Sequence, residues 1–372
     1  MESSETEVKA ETEVETEAEI EAEISKDVDM ESSEAEIEAE ISKDVDMESL
    51  EAEDIDVNEV AGIGPVTEKK LKNMGVHTVV DLAARTAYEL SQHGGLESTL
   101  ANSIIAESLK TLQETGFLQK SIITATECLD KRKDLERCTT GCKNIDDLLA
   151  GGIETRAITE FFGEFGTGKT QIAHTLCVTC QLPKDENGFE GKVLYIDTEN
   201  TFRPERVQQI AEARNHDSSM ILDNILVARA YNASHLELLI RELGSVVRIN
   251  GVKLVIVDSI ISLHRSEFIG RGTLSDRQQR LNALIHALNR VAEIHNCAVV
   301  MTNQVQSQPD AFFRDPTKAA GGHVLSHAST YRIYLKKAGK DKVAKMIDSP
   351  YHPDGETRFS ITEKGVEDSH KE

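Results

Sequence analysis

The stretch GEFGTGKTQ, residues 163–171, decides how the rest of this sequence is read. It fits G-x-x-x-x-G-K-[ST], with Gly163, Gly168, Lys169 and Thr170 in the fixed places and Glu164, Phe165, Gly166 and Thr167 between them. AITEFF before it reads as a strand, and TQIAHTLCVTCQL after it as a helix. A glycine turn from strand to helix leaves free amides at a helix N-terminus, where the dipole favours an anion. In such a loop the backbone N–H groups surround phosphates. Lys169 would reach the β and γ oxygens of a triphosphate, and the Thr170 hydroxyl would ligate Mg²⁺. An ordinary surface turn has no need of that flanking context.

Outward from the loop, apolar runs recur at 157–162, 193–197, 225–229, 254–258, 298–303 and 331–336, with helical stretches between most of them, notably 274–296. The alternation predicts an α/β fold with a largely parallel sheet covered on both faces. Ligands of such sheets bind past the C-terminal ends of strands, so residues at other strand ends become candidates. KLVIVDS sets Asp258 at the end of a buried run, where a carboxylate can hold a Mg²⁺-bound water. VLYIDTENTFRPER sets Glu199 two residues past Asp197, a place for a general base. Gln304 closes AVVMTNQ and can sense a γ-phosphate by hydrogen bonding.

The 372 residues carry a net charge of −24, but residues 1–55 hold 23 Asp/Glu and 3 Lys, which leaves −4 on the other 317. Overall charge therefore neither demands nor excludes a nucleic-acid partner. In the first 55 residues, EAEIEAEISKDVDMES occurs twice, at 17–32 and 34–49. Dense like charge with few large apolar groups predicts a disordered acidic tail. A solvated, solubilising role is favoured over a nucleic-acid mimic or self-inhibitory arm. No stretch approaches the roughly 18 apolar residues of a membrane span, and no signal segment is evident, so a cytoplasmic protein with reduced thiols is expected. Cys177 and Cys180 have the spacing of half a zinc site, but they lie in the apolar helix after the loop and read as core.

Residues 56–115 form a second region, predicted as a small all-helical unit. Gly62-Ile63-Gly64-Pro65 looks like the turn of a helix-hairpin-helix, with Pro65 at a first helical position. Gly62 and Gly64 are DNA-contact candidates through backbone amides, with pure packing as the alternative. Residues 116–128 read as a linker with an extended centre, and 129–372 as the core. Two loops on the core's rim stand out. SIISLHRSEFIGRGTLSDRQQR carries Arg265, Arg271, Arg277 and Arg280, with Gly270 and Gly272 at its centre; the second loop carries Phe312, Phe313, Arg314 and Lys318. Arginines neutralise phosphates and aromatic rings stack on bases, which suits a channel for single-stranded DNA.

GIETRAITEFFGEFGTGKTQIAHTLCVTCQLP, YIDTENTFRPER, LVIVDS, GRGTLSDRQQ, TNQV and HAST follow one another in an order that resembles the archaeal RadA recombinases, relatives of bacterial RecA, from about residue 57 to 368. The resemblance implies a RecA-like core and a DNA-dependent ATPase. Such a protein forms a filament on single-stranded DNA, pairs it with homologous duplex and exchanges strands. It implies ATP and Mg²⁺ as cofactors, leaves K⁺ open, and implies single- and double-stranded DNA, further copies of the chain and accessory recombination proteins as partners. By position, 163–170 matches the triphosphate loop, Asp258 the Mg²⁺-side acid, Glu199 the water-activating carboxylate and Gln304 the γ-phosphate sensor. Arg203 matches an adenine-stacking arginine, and Arg265 and Arg271 match DNA contacts. Asp348, Ser349, Pro350 and Pro353 resemble a cap over ATP bound by the neighbouring subunit, and Phe165 and His327 resemble interface positions.

One departure concerns assembly. The family's linker carries Phe-x-x-Ala, which docks into the next protomer; here the matching residues are Ile122 and Ala125, so weaker polymerisation without DNA is expected. The second loop also lacks a clear excess of positive charge. Two other functions compete: a non-catalytic recombination mediator, and a ring ATPase or helicase on the same core. Intact Lys169, Thr170, Asp258 and Glu199 argue against the first. The helix-hairpin-helix, linker and cap argue against the second.

Overall fold

Strand after strand in the centre of the chain is buried on both faces, and the side-chain alternation shows what covers each. Tyr195, Ile256 and Val300 belong to one apolar cluster, together with Ile172, Leu176 and Cys177 of the helix after the glycine loop. Their strand neighbours Leu194, Ile196, Val255, Val257, Val299 and Met301 belong to the other, together with Leu281, Ile285 and Leu288. Successive strand residues point to opposite faces, so a run apolar at every position needs helices on both sides.

The computed structural model describes residues 55–118, 120–307, 317–321 and 328–369. Its helices are α1 (Pro65–Lys72), α2 (Val79–Ala83), α3 (Ala87–Gly94), α4 (Ser98–Glu114), α5 (Ala125–Arg132), α6 (Lys143–Leu148), α7 (Lys169–Thr179), α8 (Pro204–Ala213), α9 (Ser218–Asp223), α10 (Ala233–Asn250), α11 (Ser262–Glu267) and α12 (Leu274–Ile294). Its strands are β1 (Arg137–Cys138), β2 (Ile153–Glu154), β3 (Ile158–Gly163), β4 (Lys192–Asp197), β5 (Ile225–Arg229), β6 (Val252–Asp258), β7 (Ala298–Asn303), β8 (Val305–Ser307), β9 (Thr317–Ala319), β10 (Tyr331–Ala338), β11 (Asp341–Asp348), β12 (Glu356–Thr362) and β13 (Gly365–Asp368).

A nine-stranded sheet runs in the order β13-β12-β11-β10-β3-β7-β6-β4-β5. From β10 to β5 every pairing is parallel, and from β10 to β13 every pairing is antiparallel. The mostly parallel α/β sheet expected from the sequence is present, and all six strand candidates lie in it. The antiparallel extension was not foreseen. Two of its three connections are two-residue turns, one of them Gly339-Lys340 between β10 and β11, where Gly339 has φ +66°. A two-residue turn with a left-handed glycine matches the twist of a hairpin.

Three expectations need correction. The linker forms no strand over 120–124. Instead Thr124 caps α5 through a reciprocal capping box with Glu127, and that helix crosses the expected boundary at 128. The loop after Asp258 is shorter than read: α11 and a 3₁₀ turn at Arg271–Thr273 fill most of 259–273, and α12 begins at Leu274, where a helix was expected. Arg280 is no free loop arginine: it donates to both oxygens of Glu237 at 3.1 and 3.2 Å and lies over the Phe268 ring. By contrast, Cys177 and Cys180 are fully buried free thiols in the core, as read.

The residues from Ile55 onward form one unit. Within it, α1 to α4 enclose their own apolar set, including Val57, Leu71, Val79, Leu90, Ile104 and Leu112. Gly64 is the N-cap of α1 with Pro65 next, and Gly62 has φ +93°. Arg290 of α12 ties these helices to the sheet region by donating to the Glu89 carboxylate at 2.9 Å and the Ala84 carbonyl at 2.8 Å. The acidic tail lies outside the described residues. No helix among the described residues is long and apolar enough to cross a membrane.

Candidate active site

The glycine loop is shaped by its neighbours as well as by its own turns. A Cβ on Gly163 would stand 2.3 Å from the Leu335 carbonyl oxygen on β10, so only glycine fits where β3 ends. Gly166 and Gly168 have φ of +75° and +105°, a region that other side chains disfavour. Gly168 caps α7 with no side-chain acceptor. The first amides of that helix are thus available to an anion. A cavity of about 540 Å³ opens in front of them, and Glu199, Asp258, Ser259, Thr302 and Gln304 line it together with the loop.

Lys169 folds over the loop, its Nζ donating to the carbonyls of Gly163 and Glu164 at 2.9 Å each. Burial lowers its pKa, while the carboxylates of Asp258 and Glu199 oppose that shift. The Thr170 hydroxyl donates to Asp258 Oδ2 at 2.8 Å. The same oxygen accepts from the Tyr195 hydroxyl at 2.7 Å, and the Thr302 hydroxyl donates to Asp258 Oδ1. A carboxylate and a hydroxyl in contact beside an anion cradle suit Mg²⁺, which takes few protein oxygens and completes its shell with phosphate and water. No group of three or more His, Cys, Asp or Glu able to hold a metal occurs among the described residues.

Across the cavity, Glu199 Oε1 accepts from Ser259 Oγ at 3.0 Å and from Gln304 Nε2 at 2.9 Å. Gln304 Oε1 in turn accepts from Arg265 Nη1 at 3.2 Å. Glu199 is presented by a tight turn in which Asp197 accepts from the backbone amides of Glu199, Thr201 and Phe202. A carboxylate beside the cradle can take a proton from water, and an amide bonded to it can report what fills the space.

The structure thus brings together Lys169, Thr170, Asp258, Glu199, Gln304 and Arg265. Phe165 is 95% exposed at the rim. Arg203 is not at the cavity wall: as the N-cap of α8 it donates to the carbonyls of Asn200 and Phe202. Ile122, 91% exposed, and Ala125 at the start of α5 lie away from the cavity, as do Asp348 at the end of β11 and Pro353 beyond it. Phe312, Phe313 and His327 lie outside the described residues, and Arg271 opens the 3₁₀ turn before α12. Tyr195, Ser259 and Thr302 were not picked out from the sequence. The available signal was a hydrogen-bonding side chain inside or just past an otherwise apolar strand.

His174 supplies a pH prediction. It packs between Tyr195 and Phe202, and its Nε2 accepts from the Arg203 amide at 3.2 Å. Burial holds its pKa down to about 4, from an ordinary 6.5. The unfolded chain takes up a proton near 6.5 that the native chain refuses until about 4. Stability is therefore lost as pH falls through that window, by on the order of 3 kcal/mol in total. Urea unfolding between pH 7 and 4 should show a shallower loss for His174→Gln than for the parent; equal slopes would count against this account.

A strand, glycine loop and helix, with a Thr–Asp oxygen pair at the loop of a mostly parallel sheet, define an α/β nucleotide-binding core of the P-loop type. The Rad51 family model matches residues 131–369. The DNA repair and recombination protein RadA of Cenarchaeum symbiosum (strain A) is 52% identical over 318 residues, covering 85% of this chain and 80% of that protein. The chain belongs to the Rad51 family.

Proposed function

We propose that this protein is a DNA-dependent ATPase and homologous recombinase that polymerises on single-stranded DNA, pairs it with homologous duplex and exchanges strands. The observation that carries the reading is the hydrogen-bonded run Glu199–Gln304–Arg265, which begins in the cavity of the phosphate loop and ends on a rim arginine. An ATPase with no further task has no need of that connection.

In this reading ATP is cradled by the amides of 163–170. Lys169 exchanges its loop carbonyls for β and γ oxygens, and Thr170 and Asp258 hold Mg²⁺. The metal ion, when bound, offsets charge on the phosphates. Glu199 takes the proton of the attacking water, and the products are ADP and phosphate. Gln304 moves its hydrogen bond between Glu199 and the γ-phosphate, which frees or holds Arg265. Arg203 stacks on adenine. Arg265, Arg271, Phe312 and Phe313 contact the single strand, while Gly62 and Gly64 of the helix-hairpin-helix, 56–115, contact DNA through backbone amides.

Assembly is head-to-tail. Among the described residues the edge strand β5 pairs on one side only, Val227 on it is half exposed, and Ile122 is exposed on a different part of the chain. Two different surfaces meeting make a heterologous contact, which propagates as a filament or closes as a ring. Asp348, Ser349, Pro350 and Pro353 complete the neighbour's site, and Phe165 and His327 meet the neighbouring subunit. Ile122→Phe is expected to enlarge the assemblies seen by gel filtration without DNA. Ile122→Ala is expected to weaken association by up to about 100-fold, the worth of one buried aliphatic side chain. Large assemblies that persist unchanged in Ile122→Ala would remove the linker from the interface.

The function is tested by mixing the protein with ATP, Mg²⁺, circular single strands and homologous linear duplex. Joint molecules are expected. A mediator alone gives none, and a helicase separates duplex without regard to homology.

A further inference from the structure

The middle of β3 carries a charge where the rest of the strand is apolar or hydroxyl-bearing. Glu160 is fully buried three residues before the phosphate loop begins. Its Oε2 accepts from Arg332 Nε on β10 at 2.6 Å, and its Oε1 accepts from Asn303 Nδ2 on β7 at 2.7 Å. These two strands flank β3 in the sheet. Arg332 is buried as well and lies over the Phe162 ring. Burial pushes the Glu160 pKa up, against the Arg332 charge and the Asn303 amide. An ion pair in such a place is weak evidence for stability, because its desolvation consumes much of the attraction and an apolar pair of similar volume often serves as well. What it does supply is a fixed orientation for Asn303.

Asn303 uses that orientation. Its Nδ2 also donates to the Ala320 carbonyl at 2.8 Å, and its Oδ1 accepts from the Gln304 amide at 2.7 Å. The Ala320 amide donates to the Gln304 carbonyl at 2.8 Å. One buried side chain therefore holds both the residue that enters β8 and the residue that leaves β9, and these two strands pair antiparallel. Asn303 is absent from the cavity wall, whereas Gln304 is part of it.

We infer that Asn303, oriented by the Glu160–Arg332 pair, is a positioning residue: it fixes the backbone of Gln304 so that the Gln304 amide meets Glu199, and it ties the base of the β8–β9 hairpin to the strand that delivers the phosphate loop. The inference rests on the reading of the cavity as an ATP site. It assigns the coupling between the hairpin and the nucleotide to a buried amide behind the site, in addition to groups that touch the ligand.

The test is steady-state ATP hydrolysis by the full chain, with and without oligothymidine, for the parent, Asn303→Ala, Gln304→Ala and the double variant. With DNA present, Asn303→Ala should lower kcat about tenfold while KM for ATP stays within about twofold, since the cradle is untouched. The double variant should be no slower than Gln304→Ala alone, because a residue that acts through Gln304 has nothing left to position. Parent-like kcat, a rise in KM that accounts for the loss, or additive losses in the double variant would each overturn the inference. If Asn303→Ala does not fold, Glu160→Gln keeps the volume and weakens the bond to Asn303. A smaller loss of kcat that again vanishes in the Gln304→Ala background supports the inference, and additivity there overturns it. Failure of the ATP-site reading looks different: Lys169→Ala would retain turnover.

Discussion

Lys169→Ala is expected to hydrolyse ATP at less than about one hundredth of the parent rate, with or without single-stranded DNA, the usual scale for losing a preorganised charge at a developing anion. The loop does not depend on this side chain for its shape. Gly163 is fixed by the close approach of Leu335, and Gly166 and Gly168 by their own left-handed turns. The two carbonyls that Lys169 now contacts belong to residues lining an open cavity, so water can replace the ammonium. Thermal unfolding should therefore stay close to that of the parent while activity is lost. DNA-stimulated ATPase at the parent level would mean that the cradle does not hold the triphosphate. A parallel loss of activity and fold would mean that Lys169 is structural.

Much of this arrangement was legible because sheet topology and phosphate binding leave local marks. A buried parallel strand must be apolar at almost every position, so VIV before Asp258 and VLYI before Asp197 announced both a strand and its functional end. The loop's glycines are forced by backbone geometry and cannot hide. The hidden parts depend on partners distant in sequence. Nothing in ITEFF says that Glu160 will meet Arg332 and Asn303, which are 172 and 143 residues away. Tyr195 looked like core and is core, yet its hydroxyl reaches Asp258. The arginines of SIISLHRSEFIGRGTLSDRQQR looked alike, but a carboxylate on α10 claims Arg280, while Arg265 reaches Gln304. Composition fixes how many charges a loop holds, and only packing decides which remain free. The linker misled for another reason: IIT at its centre is β-prone, but Thr124 with Glu127 makes a reciprocal cap, and local capping prevailed from there on.

Glu199→Gln is expected to lower kcat by about 10² to 10⁴, the range for removal of a general base. Its effect on DNA should be opposite to that of Lys169→Ala. The substitution is isosteric, and the Glu199 oxygen that Ser259 and Gln304 now approach is an acceptor of two hydrogen bonds. An amide carbonyl can accept both, so Gln304 and Arg265 keep their places and the cradle of Lys169, Thr170 and Asp258 is unaltered. ATP should bind and persist. If bound ATP between protomers is what stiffens the filament around a single strand, Glu199→Gln with ATP will hold oligothymidine far longer than the parent, whose filament loses its ligand by hydrolysis. Lys169→Ala will hold it poorly. The measurement is dissociation of labelled oligothymidine in the presence of ATP, ADP or no nucleotide. Slow release confined to ATP in Glu199→Gln, and fast release in all three conditions for Lys169→Ala, would place nucleotide occupancy upstream of DNA grip. Indistinguishable release across nucleotide states in both variants would separate the two activities and remove the reason for a hydrogen-bonded path from Glu199 to Arg265.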